Sequence, residues 1–268
     1  MLGSDLADLC RKTDIETLVL DLPEFDINET SQLEAAVKAS PLLVNCAAYT
    51  DVNRAESEQD LANKVNAQAV ANLGSFARKA GTWVLHISTD FVFDGKLDRP
   101  YTEQDTPNPI NAYGRSKLAG EKLLLESQCP AAILRVEWTY GKNGNNFVKK
   151  LIRLAENRKE ISVVDDQVGS PTATVEVAKA IIDLLKQKPH GLFHFAGSGY
   201  VSRFEMARFI FEKLKMDVEA MPCKTADFKS PAPRPLNSRF DCSKISSLLS
   251  LPIKPWQEPL EKFLKDTG

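Results

Sequence analysis

One region of this chain gathers a phenol, an ammonium and a hydroxyl, groups that can protonate, tune and hold. Tyr113 and Lys117 stand four residues apart in Asn111-Ala112-Tyr113-Gly114-Arg115-Ser116-Lys117-Leu118-Ala119-Gly120-Glu121. Pro107 and Pro109 precede the stretch, Asn108 or Asn111 supplies a cap, and no proline interrupts Ala112 to Ser127. With Leu118, Leu123, Leu124 and Leu125 on an apolar side, the segment reads as a helix. Residues four apart on a helix share a face. A free tyrosine has a pKa of about 10 and is a poor acid–base group at neutral pH. A neighbouring ammonium favours the phenolate and brings that value down. Such a pair alone is an ordinary feature of helix surfaces, so its chemistry depends on what meets it. Upstream, Trp83-Val84-Leu85-His86-Ile87-Ser88 is an apolar, branched run that reads as a buried strand, and it leads into Thr89. Hydroxyls at the carboxyl end of a parallel strand lie where α/β sheets bind their ligands. Thr89, Tyr113 and Lys117 are therefore the candidate catalytic residues.

The elements that must position them alternate. Thr17–Asp21, Leu42–Cys46, Trp83–Ser88 and Ala131–Val136 read as strands, with helices over Leu33–Ala39, Glu58–Ala80 and the Tyr113 segment between them. Strand–helix alternation argues an α/β, Rossmann-like, doubly wound parallel sheet. In the long helix, Leu61, Val65, Ala69 and Leu73 form one side. Beyond Tyr140 the character changes: a glycine-rich polar loop, shorter elements and a proline-rich segment from Ala226 to Asn237. The expected division is a dinucleotide-binding domain over 1–140 and, over 141–268, mainly a smaller substrate-binding lobe that partly returns to the sheet.

Composition bounds the partners. Of 268 residues, 43% are hydrophobic and 26% charged, with a net charge of -2, which suits a globular protein and gives no footprint for nucleic acid. No leader or long apolar run is visible, so no membrane association and a cytoplasmic location are expected. Five scattered cysteines and three histidines form neither a disulfide framework nor a metal-ligand pattern, so no metal is expected. His86, on a strand, reads as a core residue. Glu56 and Glu58 read as acids at a helix N-terminus, where the helix dipole favours them.

Taken together, a series of segments resembles the dTDP-4-dehydrorhamnose reductase family of extended short-chain dehydrogenases/reductases. They are Val44-Asn45-Cys46-Ala47-Ala48-Tyr49-Thr50, Ser88-Thr89-Asp90-Phe91-Val92-Phe93, the Tyr113 to Glu121 stretch, Trp138-Thr139-Tyr140-Gly141, Gly144-Asn145-Asn146-Phe147, Asp166-Gln167-Val168-Gly169-Ser170-Pro171-Thr172 and Arg234-Pro235-Leu236-Asn237-Ser238-Arg239. They run in family order across nearly the whole chain. The resemblance implies reduction, with NADPH or NADH, of the C4 keto group of a nucleotide-linked 4-keto-6-deoxy sugar. It leaves a homodimer open. It places Thr50, Val52, Trp138 and the Arg234 loop near substrate, Asp26 and Ile27 near adenine, and a bracing role on Asn66. Asn146, at a helix start, and Arg234, between prolines, suit a diphosphate on chemical grounds. Ala47 and Ala48 are small enough for backbone to lie against a cofactor. Asp21, about twenty residues after Gly3, lies where an acid can bond ribose hydroxyls.

Two departures from the family pattern stand out. Of the glycine-rich turn that should cradle a pyrophosphate, only Gly3 remains, which reads as a truncated or misassigned start, or else as a variant without the phosphate clamp. Glu137 stands where a small residue is usual before the tryptophan. Two other functions share much of this pattern: a non-catalytic regulatory subunit resembling the β subunit of methionine adenosyltransferase, and a sugar-nucleotide epimerase. A dehydratase is disfavoured because Asp90 is followed by Phe91, not by a glutamate.

Overall fold

In the computed structural model, which describes residues 1–267, strands and helices alternate as far as Val136 and then shorten. Helices α1 (Leu2–Lys12) and α2 (Thr30–Lys38) precede β1 (Leu42–Asn45); α3 (Gln59–Asn63) and α4 (Ala69–Ala80) precede β2 (Trp83–Thr89); α5 (Ala112–Glu126) precedes β3 (Ala131–Val136). There follow β4 (Thr139–Tyr140), α6 (Phe147–Ala155), β5 (Glu160–Val164), β6 (Val168–Gly169), β7 (Thr172–Ala173) and α7 (Thr174–Gln187). The described chain continues through β8 (Gly191–Phe195), β9 (Val201–Ser202), α8 (Arg203–Lys213), β10 (Glu219–Cys223), α9 (Ser243–Ser246) and α10 (Gln257–Thr267).

The central sheet is parallel, in the order β1-β2-β3-β8, with Leu42 opposite Trp83, Val84 opposite Ala131 and Ala132 opposite Gly191. Helices cover both faces. Leu6 and Cys10 of α1 and Val177, Ile181 and Leu184 of α7 pack on Leu85, Ala132 and Leu134. On the other face Leu33 and Val37 of α2, Val70 and Leu73 of α4 and Leu124 of α5 pack on Val84 and Ile133. A sheet covered on both faces buries nearly all of its central strands, which is why β2 and β3 are mostly apolar, with His86 and Arg135 as buried, partnered exceptions. A second core gathers Tyr140, Val148, Leu151, Ile161, Val163, Met206, Ile210 and Leu260 from β4, α6, β5, α8 and α10. It is built around short two-stranded pairs, β5 with β10, β4 with β7 and β6 with β9.

Two expectations are corrected. Thr17–Asp21 is irregular and not a strand; Leu18 is 70% and Val19 62% exposed. Its composition suits a strand, but composition cannot supply a partner. Among the described residues β1 pairs with β2 alone, and nothing bridges its other edge to this segment. The second correction concerns the long helix. It is broken by a π turn over Lys64–Gln68, which carries i→i+5 bonds and so inserts one residue. The insertion rotates the buried face: Ala62, Asn66, Ala67, Val70 and Leu73 point inward, while Leu61 is exposed.

Candidate active site

β2 delivers Thr89 at its carboxyl end, where the strand passes into a 3-10 turn over Asp90–Val92 capped by the Thr89 hydroxyl, which accepts from the Phe91 amide. α5 starts opposite. Asn111 caps it by accepting from Gly114 N at 2.8 Å, and Glu56 accepts from Ala112 N at 2.7 Å. Glu56 therefore serves the start of α5, not that of its own helix. The buried side of α5 keeps Leu124 of the expected apolar side but is made mainly of small and polar residues: Gly114, Ser116, Lys117, Gly120 and Glu121 face inward with it, and Leu125 is exposed. Small residues allow the approach. A Cβ at Gly114 would lie 2.1 Å from the Phe91 carbonyl oxygen, and one at Gly120 2.0 Å from that of Asn66.

The π turn contributes Asn66. Its amide accepts from Tyr49 N at 2.9 Å and donates to Tyr49 O and to Ser116 Oγ, each at 3.0 Å. One buried side chain thus fixes the loop after β1 against α5. Beneath α5, Glu121 and Arg135 form a two-pronged ion pair at 2.9 and 2.6 Å, both fully buried.

Thr89 and Tyr113 meet at this junction, with Lys117 one turn along α5, but with an unexpected electrostatic state. Burial pushes the Tyr113 phenol up to about 12; the Thr89 hydroxyl beside it pulls the value down and the Asp90 carboxylate pushes it up. Lys117 has no resolved part in it. The expected lowering by the ammonium is therefore corrected for this state. The lysine, 2% exposed, turns its Nζ to Ile87 O at 2.7 Å and His86 Nε2 at 3.3 Å, and burial brings its own pKa down to about 8. The Phe91 ring packs edge-on against Tyr113, with centroids 5.6 Å apart.

Across the cleft, Trp138 takes a left-handed backbone conformation (φ 43°), a costly one for a bulky side chain. The Arg203 guanidinium lies 3.4 Å from the Trp138 ring centroid and 4.6 Å from that of Phe147. Loss of water brings Arg203 down to about 9, against the pull of Asp90 and Glu137. Asp90 is buried, accepts from Ser238 Oγ at 2.6 Å and from Thr89 Oγ1 at 3.1 Å, and is pushed up to about 6 by burial. Glu137 is 1% exposed, and neither of its oxygens has a hydrogen-bond partner. The amides of Ser170 and Phe240 pull on it without reaching bonding geometry; burial and then Asp90 push its pKa well above the carboxylate range, so Glu137 is a neutral acid. Sequence reasoning noticed Glu137 only as a departure and missed Asp90, Arg203 and Ser238. Arg203 follows a Ser202–Glu205 capping box, so in sequence it looks like an ordinary helix start.

The other expected residues lie on several separate elements. Arg234 is half-buried and donates to Asn53 Oδ1 at 2.9 Å, beside exposed Thr50 and half-buried Val52, and its loop is tied to α5 by Asn111 Nδ2 donating to Pro233 O at 2.9 Å. Asn146 caps α6 by accepting from Lys149 N at 3.1 Å, with its Nδ2 on Gly141 O. Gly3 sits in the first turn of α1, where a Cβ would lie 3.5 Å from that of Cys46, so α1 starts beside the carboxyl end of β1. Ala47 and Ala48 follow that strand end, Ala47 exposed. Asp21 lies on the exposed irregular segment and accepts from Leu22 N; Asp26 accepts from Asn28, and Ile27 packs at the edge of the α2 core. Small residues that fit the approach of a cofactor, Ala47 and Ala48, follow Cys46, which faces Lys117. Asp21 lines a surface pocket with Leu20, Glu24, Phe25 and Gln32.

A family profile described as the RmlD substrate binding domain matches residues 1–268. The dTDP-4-dehydrorhamnose reductase of Sinorhizobium fredii is 35% identical over 266 aligned positions, covering 94% of this chain and 90% of that protein. The one from Mycobacterium tuberculosis H37Rv is 36% identical, covering 98% and 89%. Among solved structures, the dTDP-4-dehydrorhamnose reductase of Bacillus anthracis in complex with NADP superposes with a TM-score of 0.94 at 38% identity, covering 99% of this chain and 95% of that one. A Thermus thermophilus UDP-glucose 4-epimerase complex with NAD, at 17% identity and a TM-score of 0.82, shares the fold.

Proposed function

The chain belongs to the dTDP-4-dehydrorhamnose reductase family, and from that premise we propose that it reduces the C4 keto group of a nucleotide-linked 4-keto-6-deoxy sugar with NADPH or NADH, as in dTDP-L-rhamnose synthesis. The observation that supports this most is the Thr89 hydroxyl beside the Tyr113 phenol at the end of β2, with Lys117 bonded to the same strand at Ile87 O. Ala47, Ala48, Tyr113 and Lys117 would hold the cofactor, with the start of α1 around Gly3 facing its phosphates. When bound, the cofactor supplies the hydride. Thr89 holds the keto oxygen and Tyr113 donates the proton to it. A phenol whose pKa lies near 12 is fully protonated at neutral pH, which is the form a proton donor needs. Trp138, braced by Arg203, is the surface for the sugar, and Arg234, Asn146, Thr50 and Val52 are the residues for the nucleotide and its diphosphate. The substrate-binding lobe is read as the second core, from 141 onward. A cytoplasmic enzyme fits this role, and among the described residues no helix is long and apolar enough to cross a membrane.

The test is oxidation of NADPH and NADH in the presence of a dTDP-4-keto-6-deoxy sugar. Turnover is expected, and Tyr113→Phe should lower kcat roughly 10²- to 10⁴-fold, the usual contribution of a positioned acid. A folded protein that binds neither nucleotide and turns over no keto sugar would overturn the reading and leave the regulatory-subunit alternative.

A further inference from the structure

The hydrogen bonds behind Lys117 assign a proton. Ala47 N–H can only donate, and it reaches Asn45 Oδ1 at 3.1 Å. That fixes the orientation of the Asn45 amide, because the reverse would set two donors against each other. Asn45 Nδ2 then faces His86 Nδ1 at 3.1 Å and must donate to it. Nδ1 is the acceptor, so the proton of a neutral His86 sits on Nε2, which points at Lys117 Nζ 3.3 Å away. An ammonium there would oppose one donor to another. The Nζ already donates to Ile87 O at 2.7 Å and has no carboxylate partner. Glu121, one turn along α5, commits both oxygens to Arg135 and Ser88.

We propose that His86 is a positioning residue for Lys117: held by Asn45 as the Nε2–H tautomer, it turns a donor toward the lysine Nζ and so weakens the hold of Lys117 on its ammonium proton, leaving a group that can give up and regain that proton near neutrality. The proposal rests on the reductase reading for its use. Reducing a ketone consumes one proton besides the hydride. Tyr113 gives its proton to the carbonyl oxygen; Lys117, having taken one from solvent, returns one to the phenolate. The groups that face Lys117 are His86 from β2, Cys46 from the end of β1 and Glu121 from α5. Burial pushes the Cys46 thiol up to about 12, so it is uncharged; the chain's amino terminus also faces it. Burial and then Lys117 keep His86 well below its ordinary value, so the imidazole is neutral.

A second buried histidine provides an internal reference. His194 Nδ1 faces the Tyr101 carbonyl at 3.1 Å and must donate, so His194 is the opposite, Nδ1–H tautomer. The experiment is nitrogen-15 NMR of the histidine rings in the full cofactor-free chain carrying His190→Gln, which removes the exposed ring. One ring of each tautomer is expected. The Nε2–H ring should show an inflection near pH 8 as Lys117 titrates, and Lys117→Met should abolish that inflection. Two Nδ1–H rings, a charged His86, or an Nε2–H ring with no inflection would each overturn the proposal. The readout needs neither substrate nor cofactor, so it fails or succeeds separately from turnover.

Discussion

Tyr113 is stored as a full acid, and the lysine below it is the group whose charge changes near neutrality. The pH dependence of reduction follows from that order. Lys117, at about 8, is protonated on the acid side and loses its proton as pH rises through that value, so kcat for reduction should hold below pH 8 and fall above it. A limb that instead follows a much lower value would mean that the phenol is the titrating group. At the substrate end, Arg203 is the residue to change. Its guanidinium on Trp138 contributes roughly 0.5–2 kcal/mol of cation–π attraction and holds a ring whose backbone is strained. Arg203→Gln should raise KM about 2- to 30-fold while changing kcat less, in steady-state kinetics. An equal fall in kcat with no change in KM would place Arg203 outside sugar binding.

The junction between α5 and the π turn sets how closely the helix approaches. Gly120 has no space for a methyl group, because the obstacle is the Asn66 backbone and not a side chain that can turn away. Gly120→Ala should cost about 1–3 kcal/mol, read as a lower denaturation midpoint. Asn66→Leu removes the partners of both Tyr49 backbone groups and of Ser116, and should cost at least about 1–3 kcal/mol. If Gly120→Ala leaves stability unchanged, the two helices are not in fixed contact. The sequence shows these elements unevenly. Trp83–Ser88 and Ala131–Val136 were readable because burial on two faces demands a mostly apolar run. Tyr113 and Lys117 were readable because four-residue spacing on a helix is geometric. The π turn was not, since one inserted residue leaves the apolar count intact and only rotates it. Thr17–Asp21 misled for another reason: strand propensity is a property of a segment, whereas pairing needs an edge beside it.

For the molecule as a whole, buried ionisable groups make stability depend on pH in two directions. His86 and His194, the latter brought down to about 3, are neutral in the fold and charge when unfolded, so their contribution is full above about pH 6.5 and is lost as pH falls. Glu137 does the opposite: it keeps in the fold a proton that the unfolded chain sheds above about pH 4.5. Its contribution falls as pH rises, by up to about 1.4 kcal/mol per pH unit. Between pH 6.5 and 8 the melting temperature should therefore decline, and Glu137→Gln should flatten the decline. Parallel slopes for the two proteins would show that Glu137 is ionised in the fold.

Helix α5 and the proline-rich loop also share a fastening in the Asn111 amide, whose oxygen caps α5 and whose nitrogen holds the Pro233 carbonyl in the Arg234 loop. That makes the loop a door hinged on the acid helix: its release and the loosening of the first turn of α5 become one event, and amides on both sides should exchange with solvent at a common rate.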